Sequence, residues 1–194
     1  MEARSRIGLS SQGEANQQIP RTHTFFFYGT LLDADLRRAL CGPAADGWDL
    51  VPAELPGHRR GRSPGRTYPY LLPAPESRVP GLVADGLSPE AAAILTLYEG
   101  RGYRVAAVVP DTSAGPRPCW VFLPRRTVVA PLPWTLEGWR EAHKAAALKR
   151  LRAWRSGVSD GDIARAAAPW RERPPWPEGE WPCGPRQSMR AKVD

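Results

Sequence analysis

Two stretches of the sequence carry residue types and spacings that can do chemistry. In Phe25-Phe-Phe-Tyr-Gly-Thr-Leu-Leu32 an aromatic run of strand composition enters a turn at Gly29. A turn of that kind can present several backbone N–H groups together, and such a cradle binds anions. Gly29 permits either a positive φ or a close approach of backbone, and Thr30 is able to cap whatever follows. Residues Asp33 to Leu40 then read as a short helix, which would set the turn's amides near a positive helix end. An ordinary strand-to-helix turn accounts for the same residues equally well, because one glycine is a weaker signal than a phosphate-binding fingerprint.

The second stretch, Leu97-Tyr-Glu-Gly-Arg-Gly-Tyr-Arg-Val105, places a carboxylate, Glu99, between a helix and a strand. Ser88 as N-cap, Pro89 at the first helical position and Glu90 in the first turn start the helix. Gly100 and Gly102 end it, and Tyr103 to Val109 resumes as a β-branched and aromatic run. The helix dipole opposes a negative charge at that end. If Glu99 is also buried, desolvation raises its pKa toward neutrality, where a carboxyl can shuttle protons. The other reading is a surface Glu paired with Arg101 or Arg104, which is the commoner lot of a glutamate.

Three blocks in this order resemble the gamma-glutamylcyclotransferase family in its broad form, which includes the AIG2-like proteins. They are Tyr28-Gly-Thr-Leu31; Tyr68-Pro69 followed by Val79-Pro-Gly-Leu-Val83; and Tyr98-Glu-Gly100 with Tyr103-Arg104. Two departures stand out: Arg104 follows Tyr103 directly, and Thr96 lies near where the family commonly carries Asp. The resemblance spans about residues 24–130. It implies an enzyme, neither metal- nor cofactor-dependent, that acts on a small γ-glutamyl amide and belongs to glutathione metabolism. The substrate's α-amine attacks its own γ-carbonyl, an intramolecular aminoacyl transfer of lyase character, giving 5-oxoproline and a free amine. Glu99 would be the general acid and base. Tyr28, Gly29, Thr30 and Leu31 would hold the substrate's α-carboxylate, and Tyr103 would orient Glu99 or the substrate, although a core role suits Tyr103 as well. The alternative is a non-catalytic ligand-binding or interaction module of the same fold.

The elements that must position these residues follow from the rest of the chain. Trp48–Leu55, Tyr68–Leu72 and Gly81–Ala84 read as strands divided by turn-rich stretches, and Tyr103–Val109 with Cys119–Leu123 as a hairpin around Asp111–Pro116. Many short strands with one or two short helices among them predict an α+β fold, a small mixed β-barrel with flanking short helices. The 22 prolines favour short interior strands, since Pro cannot donate to a ladder. Thr135 is the expected N-cap of a helix over Leu136–Arg155 that Gly157 ends. His143 on that helix is left out of the site, because a single His on an amphipathic helix is more often structural. From Trp170 to Pro182 the density of Pro and Trp predicts an irregular tail, which would wrap the domain as a lid, pack on a neighbouring subunit or hang free. The expected division is therefore a disordered lead (1–23), a gamma-glutamylcyclotransferase-like domain (24–130), a helical extension (131–168) and an irregular tail (169–194).

Composition narrows the function classes. A length of 194 residues with 42% hydrophobic content suits one compact domain. No stretch reaches the ~18 apolar residues that span a membrane, and no apolar run follows Arg4 and Arg6 as a secretory signal requires. Cys41, Cys119 and Cys183 are widely spaced and odd in number, which argues against a disulfide or metal framework and for a reducing cytoplasm. A formal charge of +7 has the right sign for nucleic acid, yet no nucleic-acid motif accompanies it, and no such partner is expected. The four arginines of His58–Arg66 and the basic Thr135–Arg155 segment read first as solvated faces. Arg59 and Arg60 could in addition draw anionic substrates.

Overall fold

The computed structural model describes residues 22–125 and 131–178. Most of the expected N-terminal lead, and the chain beyond Glu178 with Cys183, lie outside the described residues. Strand β1 (His23–Phe27) is buried along its whole length. Side chains alternate across a strand, so Phe25 and Phe27 enter a core shared with the helices, while Phe26 enters a second core inside the curl of the sheet. The remaining strands are β2 (Asp49–Gly61), β3 (Tyr70–Leu87), β4 (Tyr103–Val108), β5 (Asp111–Thr112), β6 (Gly115–Pro116) and β7 (Cys119–Pro124). They form one seven-stranded sheet in the order β4-β7-β1-β3-β2-β5-β6. Only the β1–β7 pair is parallel. The fold is α+β, a mixed sheet curled into a half-barrel with helices on its flank.

The expected β4–β7 hairpin forms, with β5 and β6 as a small turn between its arms. Tyr68–Leu72 and Gly81–Ala84, by contrast, belong to one 18-residue strand, β3, and the predicted break does not occur. The prolines explain why. Among the described residues, Tyr70–Pro80 of β3 pairs with β2 alone, and β1 joins only from Leu82 onward. Pro73, Pro75 and Pro80 therefore need not donate to a third strand.

Among the described residues four α-helices accompany the sheet: α1 (Ala34–Cys41), α2 (Pro89–Glu99), α3 (Leu136–Ser156) and α4 (Asp160–Glu172). Ser88 caps α2 by accepting from the Ala91 N–H, and Gly100 ends it at φ 64°. Thr135 and Gly157 bound α3 as expected. The cap of α1 is Asp33 rather than Thr30: its carboxylate accepts from the Asp35 and Leu36 N–H groups, while Thr30 opens a separate 3-10 turn, Thr30–Leu32.

Within the expected helical extension (131–168) a second helix, α4, forms that was not predicted separately, and it continues past residue 168. It begins with a reciprocal capping box between Ser159 and Asp162 and runs through Pro169 to Glu172. Trp170, only 3% exposed, justifies that continuation by packing on Phe25, His23 and Trp120 and donating its indole N–H to the Thr96 hydroxyl. Beyond it, Arg173 lies over the rings of both Trp120 and Trp170, the Pro174 carbonyl accepts from Trp120, and the Pro175 carbonyl accepts from the Thr24 N–H. The described part of the tail is thus packed on its own domain. No helix among the described residues is long and apolar enough to cross a membrane.

Gly81 is the point of closest approach between β1 and β3. A Cβ there would lie 2.5 Å from both Phe26 Cζ and the Phe27 carbonyl oxygen. Gly81→Ala should destabilise the domain by about 1–3 kcal/mol through overpacking, read as a lower urea midpoint with the slope unchanged.

Candidate functional site

Where β1 ends, the chain enters a cavity of about 200 Å³ lined by Phe26, Phe27, Tyr28, Gly29, Thr30, Leu31, Tyr68, Pro69, Tyr98, Glu99, Tyr103 and Phe122. All six residues singled out in the sequence, Tyr28, Gly29, Thr30, Leu31, Glu99 and Tyr103, border this one space. Three elements converge on it. Strand β1 supplies the turn, the end of α2 supplies Tyr98 and Glu99, and the first residue of β4 supplies Tyr103.

Among the described residues, Glu99 is the one carboxyl in the lining. It is partly buried with its carboxyl crowded by protein, and that burial pushes its pKa from 4.5 up to about 8. No ion pair among the described residues includes it, and Arg101 and Arg104 are exposed, so the surface-pair reading does not hold. The carboxyl is held protonated at neutral pH by desolvation alone.

Tyrosines surround it. The chain has five; Tyr28, Tyr68, Tyr98 and Tyr103 line the cavity, and Tyr70 packs behind, 5.7 Å from Tyr68 and stacked at 6.0 Å on Tyr103. Burial, followed by the charge of Glu99, raises the Tyr28 and Tyr103 phenols and pushes Tyr98 up to about 12. These phenols stay protonated and keep an O–H to donate. The Tyr28 hydroxyl is committed, donating to the Phe122 carbonyl at 2.8 Å. Tyr68 and Tyr98 stood inside the sequence motifs without being read as site residues; the shared signal was that every tyrosine of the chain falls in or beside those motifs.

Gly29 settles between its two alternatives. Its φ is −121°, so no left-handed conformation is used, and an added Cβ would sit 3.0 Å from Pro69 Cγ. Close approach across the cavity wall is what it permits. The hydrogen bonds of the turn itself run from Leu32 N–H to the Gly29 carbonyl and from Asp33 N–H to the Thr30 carbonyl, both 3.0 Å. The N–H groups of Thr30 and Leu31, at its start, are not consumed by these bonds.

Among the described residues, no Arg, Lys or His lines the cavity. Arg60 is turned to structural use: it donates to the Tyr28 carbonyl at 3.3 Å and lies 5.5 Å from the centroid of Trp134. Arg59 is exposed. His143 borders a separate groove beside Trp134 and Trp139.

Residues 25–141 match the family described as Gamma-glutamyl cyclotransferase, AIG2-like, and the chain belongs to that family. Among curated relatives, AIG2-like protein B of Arabidopsis thaliana is 27% identical over 133 residues, covering 66% of this chain and 76% of the relative. AIG2-like protein A of the same plant is 29% identical over 128 residues, covering 63% and 74%. The solution structure of At5g39720.1 from Arabidopsis thaliana superposes with a TM-score of 0.52 at 23% identity, covering 70% of this chain and 92% of that one. That likeness shows the shared fold.

Because the Glu99 pKa is higher in the folded state, the native protein holds a proton that the unfolded chain releases between about pH 5 and pH 8. Stability therefore declines as pH rises through that window, at up to about 1.4 kcal/mol per unit from this group. In Glu99→Gln that contribution should vanish, visible as a flatter dependence of Tm on pH than in the wild type; equal slopes would contradict the assignment.

Proposed function

We propose that the protein cyclises a γ-glutamyl amide to 5-oxoproline and releases the amine. The observation that carries this reading is a lone desolvated carboxyl set across a small, otherwise uncharged cavity from a backbone turn. A cavity of about 200 Å³ is below the ~300–1,000 Å³ usual for drug-sized ligands. It suits the glutamyl half of a substrate, with the leaving group toward the opening.

The chemistry then needs little beyond these parts. The α-carboxylate rests on the Thr30 and Leu31 amides, a charge-assisted contact that compensates for the missing cations. Glu99 takes a proton from the α-ammonium. The freed amine attacks the γ-carbonyl carbon within the same molecule, and holding it in a near-attack geometry can supply ~7–11 kcal/mol. The tetrahedral oxyanion collapses, the bond to the leaving nitrogen breaks, protonated Glu99 gives its proton to that nitrogen, and the second proton shed by the new ring nitrogen follows to the departing amine, which leaves as an ammonium. A carboxyl with a pKa of about 8 is well matched to both transfers near neutral pH. Tyr98 and Tyr103, held as phenols, can donate to the oxyanion or to Glu99.

The test is 5-oxoproline release from a panel of γ-glutamyl amino acids, γ-glutamyl amines and glutathione. Glu99→Gln should lower kcat/KM by ~10²–10⁴, the scale of lost acid–base catalysis, and wild-type kcat/KM should rise with pH through about 8 as Glu99 ionises. A folded wild type that releases nothing from any substrate would point instead to a binding module.

A further inference from the structure

We infer that Asp33 is a positioning residue: clamped by Arg140 and Lys144 of α3, it holds the Gly29–Leu32 turn with its amides directed at the ligand carboxylate. The identity of that carboxylate rests on the proposed function; the clamp itself does not.

The peptide planes of the turn carry the argument. Four successive carbonyls are each drawn to a donor: Tyr28 to Arg60, Gly29 to the Leu32 N–H, Thr30 to the Asp33 N–H, and Leu31 to Arg37 at 2.7 Å. In a trans peptide the N–H points opposite to the C=O. Committing these carbonyls therefore turns the N–H groups of Gly29, Thr30 and Leu31 the other way, and these are the residues of the turn that border the cavity. Arg37 and the Asp33 backbone, which hold two of the four, both belong to the start of α1.

What fixes the start of α1 is the Asp33 carboxylate, 1% exposed. One oxygen accepts from the Asp35 N–H at 3.1 Å and the Leu36 N–H at 3.3 Å. The other accepts from Arg140 Nε at 2.8 Å and Lys144 Nζ at 3.0 Å. Lys144 also reaches Asp35, at 2.7 Å. Burial works against the Asp33 charge, but the hydrogen bonds from Arg140 and Lys144 overcome it and hold the carboxyl below its usual range. The family match ends at residue 141, before Lys144, so part of the clamp comes from helix beyond the matched region.

Asp33→Asn separates the clamp from the cap, because Asn is as good an N-cap as Asp but offers the two cations no charge. Three measurements decide: Tm, amide hydrogen exchange over Gly29–Leu32, and KM and kcat for 5-oxoproline release. The expected result is faster exchange in the turn and a KM raised about tenfold, the scale of one charge-assisted hydrogen bond, with kcat within about twofold. Lys144→Met should shift exchange and KM in the same direction and Lys144→Arg should restore them, which keeps the test open if Asp33→Asn does not fold. Unchanged exchange, or faster exchange with unchanged KM, overturns the inference. A wild type with no turnover would remove the proposed reaction and leave the exchange comparison to decide the clamp.

Discussion

Strand β1 is sandwiched between two cores, and the rest of the molecule depends on that burial. Phe25 and Phe27 face the helices, Phe26 faces the inside of the curl, and none of the three is more than 2% exposed. Burying a side chain of this size contributes roughly 1.5–3 kcal/mol, so the strand is anchored from both sides along its length. Because it is anchored, the residues that follow it can depart from regular structure without drifting. The turn from Gly29 to Leu32 begins at an immobile point, and the missing Cβ of Gly81 lets β3 close on β1 at that same end.

The charge distribution obeys a separation that composition alone does not convey. In a chain of net charge +7, the described residues that line the cavity include no cation, and the one carboxyl among them makes no ion pair with any described residue. That arrangement is costly: a pKa raised from 4.5 to about 8 corresponds to roughly 3 kcal/mol of lost stability near pH 7. Structural ion pairs perturb pKa values too, but usually in the direction that favours the charge, as at Asp33. Asp33 is buried and Glu99 partly buried, each beside the same turn, and their partners set them apart. Asp33 has two cations and two backbone donors and stays ionised; Glu99 has none of these and holds its proton. One small region thus holds two carboxyls pushed to opposite protonation states by their surroundings.

How much was legible in the sequence follows from how local each signal is. Ser88-Pro89, Gly100, Thr135 and Gly157 act on their immediate neighbours, and the helices they bound end where those residues predict. The convergence of Tyr28, Glu99 and Tyr103 was reached through motif resemblance, since nothing in spacing alone brings residues so far apart together. Failures occurred where tertiary context outweighed a local rule. The prolines of β3 argued for separate strands, yet a missing third strand along Tyr70–Pro80 made them harmless. Thr30 was the expected cap, yet Asp33, read as the first helical residue, takes that place, with its carboxylate also held by the cations on α3. Helix α4 was hidden by Pro169, whose lost hydrogen bond is outweighed by what Trp170 buries one residue later.

The C-terminal helices belong to the domain itself. Leu151, Ile163, Ala167 and Trp170 sit in the same core as Phe25, Phe27 and the buried face of α2, although all four lie beyond residue 141 where the family match stops. Trp170 reaches across that core to the Thr96 hydroxyl, three residues before Glu99. That residue is one of the sequence's departures from the family pattern. The Thr96 hydroxyl itself donates to the Ala92 carbonyl within α2, so it is satisfied in both directions. A carboxylate at this position would accept from the indole equally well but would bring a second negative charge toward Glu99, with no cation in the cavity to offset it. Threonine keeps the link between α2 and α4, and Glu99 stays the one carboxyl among the described residues that line the cavity.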